Sequence, residues 1–179
     1  LITHSHYDHC SIEDIKKIVK DGTIIICTAD SQSKFRHIDG KLDIKIVNPG
    51  MRFEFEEKIK IWVVPSYNIK NKGHDREDDW VGFILEIGGV SIYHAGDTDL
   101  IPEMSKLKAI GLDIALLPIG GTYTMNAGEA AKAASIIQPK IAIPMHYASI
   151  EGIGSRGDAD LFLKYCSGEG IEAKILDLS

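Results

Sequence analysis

Four residues among the first nine carry side chains that can bind a metal ion. Thr3-His4-Ser5-His6-Tyr7-Asp8-His9 is an HxHxDH cluster, lying directly after a short apolar run and directly before a helix start. Imidazole nitrogen with carboxylate oxygen suits Zn²⁺, and the same donors admit Fe or Mn. In an extended turn, His4 and His6 alternate so that both project toward one ion, which leaves Asp8 and His9 to serve a neighbouring ion. A coincidental surface cluster is the competing reading, and four matched positions in one short run weigh against it. Nucleotide chemistry finds no such support. Gly120-Gly121-Thr122 lacks the lysine of a P-loop, and no GxSxG elbow or Rossmann GxGxxG follows a strand.

The elements that must position these residues alternate between short apolar runs and helical patterns, the signature of an α/β chain. A helix is predicted over 12–20, with Ser11 as N-cap and a buried stripe of Ile12, Ile15, Ile18 and Val19. A strand at 23–28 leads into a polar loop reaching about 42. Strands at 44–47, 52–56 and 60–65 read as an antiparallel meander, and residues 66–79 as an exposed, charged loop. Gly88-Gly89 joins strands 80–87 and 90–95 in a tight hairpin. Helices are predicted over 102–110, over 127–137 with Asn126 and Glu129 as its capping box, and over 159–166 with Asp158 as N-cap. Strands at 113–118, 140–145 and 171–178 complete the pattern. Leu1-Ile2-Thr3 reads as the end of a strand already under way, so a preceding segment is expected.

The 179 residues fit a single domain, 1–179. Hydrophobic residues at 44% and charged residues at 26% exclude a disordered or collagen-like chain. Three cysteines, Cys10, Cys27 and Cys166, form no CxxC pair, which favours a reducing cytoplasm. A net charge of −6 works against nucleic acid and anionic membranes as partners, and no 18-residue apolar run suggests a membrane span. A small-molecule substrate is the expected partner. Oligomeric state has no signal in the sequence.

From His4 onward the chain resembles the metallo-β-lactamase-fold hydrolases. After HxHxDH come His74, then Gly96-Asp97-Thr98-Asp99, then Met145-His146-Tyr147. Segments 80–82, 93–99 and 120–125 look most like the group of Zn-dependent hydrolases that includes ascorbate-6-phosphate lactonase. The resemblance implies a four-layer αββα sandwich of the mixed α/β (α+β) class, here N-terminally truncated, with its ions at one edge of two sheets. It implies His4, His6 and a third histidine on one ion, Asp8, His9 and His146 on a second, and Asp97 between them. A carboxylate bridge has a physical reason, because two cations about 3.5–4 Å apart need an anion between them. His74 is the expected third histidine and Asn68 its rival.

The implied activity is hydrolysis of a small ester, lactone or phosphodiester by hydroxide on two zinc ions, with Asp8 as the catalytic residue moving protons. A mononuclear iron oxygenase and a non-catalytic metal- or partner-binding fragment are the alternatives. Of the other residues, His94 is expected either to support a ligand or to pack in the core, and Asp99 to cap the 102–110 helix. Cys10 is expected to be a buried structural thiol and His37 to lie on the surface. Tyr123 and Tyr147 are candidates for substrate contact.

Overall fold

A two-stranded parallel sheet packs beside a six-stranded mixed one. The computed structural model describes residues 1–70, 73–148 and 152–176. Helix α1 (Ile12–Ile18) precedes β1 (Ile24–Cys27), and a 3₁₀ helix, Ala29–His37, carries the chain over to β2 (Asp43–Ile46), its parallel neighbour. In the large sheet β3 (Arg52–Phe55), β4 (Ile59–Pro65), β5 (Val81–Ile87) and β6 (Val90–His94) run antiparallel. Strands β7 (Ile114–Pro118) and β8 (Ile141–Met145) extend it in parallel. Parallel neighbours require a crossover that lies on a sheet face. The 3₁₀ helix Pro102–Ile110 and helix α2 (Ala127–Ile137) are those crossovers, and α3 (Arg156–Gly168) joins them after β8.

Three apolar clusters separate four layers. Ile25 and Cys27 of β1 pack outward with Cys10 and Phe35, against α1 and the first 3₁₀ helix. Ile26, between them, points the other way and joins Val47, Ile61, Val63, Val81 and Phe83 between the sheets. This period-two split is what a strand buried on both faces does with its side chains. The third cluster lies between the large sheet and α2, α3 and the second 3₁₀ helix, and includes Ala115, Leu117, Ala130, Ala134, Ile137 and Phe162. Alanines along the buried face of α2 let the helix backbone approach the sheet closely.

Several expectations meet the structure directly. The hairpin turns on Gly88 and Gly89 at φ 59° and 81°, values that only glycine adopts freely. Helix α2 has its predicted bounds, and the Asn126–Glu129 capping box is formed in both directions. Other expectations need correction. Helix α1 ends at Ile18 instead of continuing to 20, and its expected stripe is only half-buried at Ile12, Ile15 and Val19, with Ile18 79% exposed. β2 leaves the meander to pair with β1, and the polar loop after β1 winds into a 3₁₀ helix. Helix α3 starts at Arg156 with Ser155 as its cap, since the Ser155 side chain accepts from the Asp158 N–H. Asp99 does not cap the second 3₁₀ helix, whose N-cap is Ile101. Of the last strand, only a bridge between Ala142 and Ala173 is seen, and residues 177–178 lie outside the described residues.

One edge of the molecule gathers the loops that matter. Pro65 at the end of β4 pairs with Val81 at the start of β5, and the ends of β6, β7 and β8 follow alongside. The opening residues bridge the two sheets at this edge, with Ile2 N–H donating to Ile26 O and Val81 N–H donating to Thr3 O. The turn carrying His4 to His9, the loop carrying His74, the turn at Asp97 and the residue after β8, His146, therefore meet.

Candidate metal centre

Four imidazoles point their Nε2 atoms at one carboxylate oxygen. Oδ2 of Asp97 lies 3.3 Å from Nε2 of His9 and His146, 3.4 Å from that of His74 and 3.9 Å from that of His4. Oδ2 of Asp8 lies 3.4 Å from Nε2 of both His9 and His146. His6 completes the cluster, grouping with His4 and His74, while Asp8 groups with His9 and His146. All seven residues singled out in the sequence thus come together, and His74 does so with 2% exposure although the surrounding loop is charged. Asn68 lies behind it, with Nδ2 at 3.2 Å from His74 Nδ1, the ring nitrogen that faces away from the cluster.

The polar atoms at the centre have no partners of their own. Nε2 of His4, His9, His74 and His146 and Oδ1 of Asp97 are buried without a hydrogen bond among the described residues. Leaving several such groups unpaired costs about 1–3 kcal/mol each, so a native fold keeps them for a ligand. The spacing identifies the kind of ligand. Tetrahedral N and O donors at about 2.1 Å from an ion stand about 3.4 Å from each other, which is the separation found here.

The charge states of His4, His6 and Asp97 agree with that fit, whereas His9, its pKa raised by carboxylates, must give up a proton before it can ligate. Burial, followed by the repulsion of His9, lowers His4 to a pKa of about 2, so its ring is neutral and its lone pair available. Burial and His74 also lower His6. For His9 burial acts downward, but the carboxylates of Asp97 and Asp8 outweigh it and the pKa is raised. Burial opposes ionisation of Asp97, yet the imidazoles of His74, His9 and His146 hold its carboxyl well below the usual carboxylate range. Neutral imidazole with ionised carboxylate is the donor state that Zn²⁺, Mn²⁺ or Fe²⁺ takes.

Neighbouring residues fix these donors, and most are not visible in the sequence. Thr3 Oγ1 is 2.9 Å from Nδ1 of His4, so an Nδ1–H donated there leaves Nε2 free. The Trp80 ring lies 4.6 Å from the ring of His4, 4.8 Å from His6 and 5.0 Å from His74, and its Nε1–H donates to Asp30 at 2.9 Å. Asp99 accepts from the backbone N–H groups of Ile69 and Lys70, and Ser66 Oγ donates to Asp97 O. These bonds tie the His74 loop to the Asp97 turn. Gly120 leaves room for His146, since a Cβ there would stand 2.9 Å from His146 O and 3.1 Å from its Nδ1. His146 itself sits at φ 56°, a left-handed conformation uncommon outside glycine.

The remaining candidates fall outside the cluster. His94 accepts from Gly96 N–H through Nδ1, and burial lowers its pKa. Cys10 is buried and its thiol is raised by that burial in spite of the nearby helix start, as a structural thiol would be. His37 is exposed. Tyr147 packs partly against the helix-side core, whereas Tyr123 lines a cavity over the cluster.

Residues 1–146 match the family model described as Beta-lactamase superfamily domain. A UPF0173 metal-dependent hydrolase of Thermoplasma acidophilum is 40% identical over 90% of this chain and 70% of its own length. One of Thermus thermophilus is 32% identical over 98% of this chain and 76% of its own. Among solved structures, a protein assigned as a metal-dependent hydrolase from Parabacteroides distasonis is 34% identical. It superposes with a TM-score of 0.80, covering 99% of this chain and 75% of that one.

Proposed function

The chain belongs to the beta-lactamase superfamily and is a metal-dependent hydrolase, and on that premise we propose that it cleaves a small ester, lactone or phosphodiester at a pair of zinc ions. His4, His6 and His74 would hold one ion, and Asp8, His9 and His146 the other, with Asp97 between them. The observation that carries this reading is the convergence of four unpartnered Nε2 atoms on one Asp97 oxygen. Zinc ions held by these residues would supply a water whose pKa falls toward about 7 and a Lewis acid for the substrate's carbonyl or phosphoryl oxygen.

The chain's own residues supply the rest. Asp97, ionised and buried, would offset the repulsion between two cations held here. Asp8 stands on the open side of the cluster and lines the cavity, where its carboxylate can orient a water and carry a proton to the leaving group. The cavity wall, as far as it is formed by described residues, holds no serine or cysteine nucleophile, in keeping with direct attack by water.

Elemental analysis of the purified protein, coupled to a screen of chromogenic esters, lactones and phosphodiesters with and without chelator, tests the reading. About two zinc per chain and chelator-sensitive turnover are expected. Asp8→Ala should lower kcat by about 10²–10⁴-fold, and full turnover in that variant would remove Asp8 from its role. Stoichiometric iron with no hydrolysis of any substrate would contradict the zinc hydrolase.

A further inference from the structure

The cavity over the cluster encloses about 440 Å³, within the range of small-molecule sites. Apart from the candidate ligands, its wall consists of Tyr7, Tyr123, Ile153 and Gly73. Tyr7 is 71% exposed although it lies in sequence between His6 and Asp8, and Tyr123 is 49% exposed. Neither phenol makes a hydrogen bond among the described residues. The Tyr123 backbone is nonetheless fixed, because its carbonyl accepts from Nδ2 of Asn68 at 2.8 Å, the same amide that meets His74. Two exposed phenol side chains thus line the cavity, and the backbone of one of them is fixed.

Charge sharpens the picture. Among the described residues of the wall there is no lysine or arginine. With two divalent ions held by the carboxylates of Asp8 and Asp97, the positive charge of the wall, among the described residues, would lie at the reacting end. An anionic group elsewhere on a substrate would meet tyrosine and isoleucine, and would lose its hydration without a partner.

We infer that Tyr7 and Tyr123 form a subsite for the non-reacting part of the substrate, and that this part is an uncharged aromatic or similarly flat ring next to the scissile bond. The inference rests on the metal-hydrolase reading above. Flat rings gain from offset or edge contact with the two phenols, and Ile153 adds an aliphatic surface to the same wall.

Calorimetric titration of the zinc-loaded protein with three hydroxamates tests this without turnover, because a hydroxamate ligates zinc whatever group it carries. Benzohydroxamate should bind about tenfold more tightly than acetohydroxamate, and 4-carboxybenzohydroxamate no more tightly than benzohydroxamate. The double variant Tyr7→Ala, Tyr123→Ala should lose the preference for the ring while keeping its zinc content, and Tyr7→Phe, Tyr123→Phe should retain it. Equal affinity for benzo- and acetohydroxamate, or tightest binding of the carboxylated compound, overturns the subsite and leaves the hydrolase reading standing. A zinc-loaded protein that binds none of the three overturns that reading and the inference with it.

Discussion

At Gly120 the absence of one carbon atom decides whether His146 can reach the cluster. A methyl there would press on the His146 carbonyl and Nδ1 from 2.9 and 3.1 Å, contacts that real Cβ atoms rarely make. His146 has little freedom to yield, since its backbone is already in the left-handed region. Gly120→Ala should therefore cut zinc from two ions to about one per chain and lower kcat by about 10–100-fold, in the range seen when a ligand's support is lost. Elemental analysis of the variant checks this, and two retained ions would contradict it. The candidate ligands could be singled out because their types and spacing are local: HxHxDH, the turn at Asp97 and the MHY segment each announce chemistry within a few residues. Gly120, Thr3 and Trp80 could not, because nothing near them in the chain says which imidazole they will meet.

Trp80 stands just before β5, and through it this strand edge supports His4, His6 and His74, the three histidines that would hold the first ion of the proposed pair. Its ring contacts His4, His6 and His74, and Asp30, at the start of the first 3₁₀ helix, holds it by the indole N–H. Asp30→Asn weakens that anchor without removing a ligand. Zinc affinity at the weaker of two sites should fall about tenfold, with the other site unchanged. Competition titration against a chromogenic chelator resolves the two sites, and equal loss at both would argue against this division of labour. The same contrast between local and distant signals explains the elements. The capping box of α2 lies within four residues and was readable, as was the glycine hairpin. The parallel pairing of β1 with β2 depends on the intervening 3₁₀ crossover, and the burial of His74 depends on Asp99 holding the loop by two backbone N–H groups. Both are long-range effects that a charged or polar stretch of sequence conceals.

Across the whole molecule, the three thiols report on how the layers hold together. Cys10 and Cys27 lie in the outermost apolar layer and Cys166 in the helix-side core, and all are buried. Burial pushes Cys27 and Cys166 each up to about 11. A buried thiol raised in this way contributes stability that is complete below its unfolded pKa of about 8.5 and is lost as pH climbs toward the folded value. The denaturation midpoint should accordingly fall between about pH 9 and pH 11. A disulfide reagent at pH 8 should leave all three thiols unlabelled until denaturant unfolds the layers. Early labelling of Cys166 alone would show that the helix layer opens independently. No helix among the described residues is long and apolar enough to cross a membrane. The most direct test of the central claim is anomalous diffraction at the zinc edge from crystals of the zinc-loaded protein. Two peaks about 3.5–4 Å apart are predicted, one against His4, His6 and His74 and the other against Asp8, His9 and His146, with Asp97 touching both. A density map with no peak at this cluster, or with its zinc bound to other residues, would contradict the account.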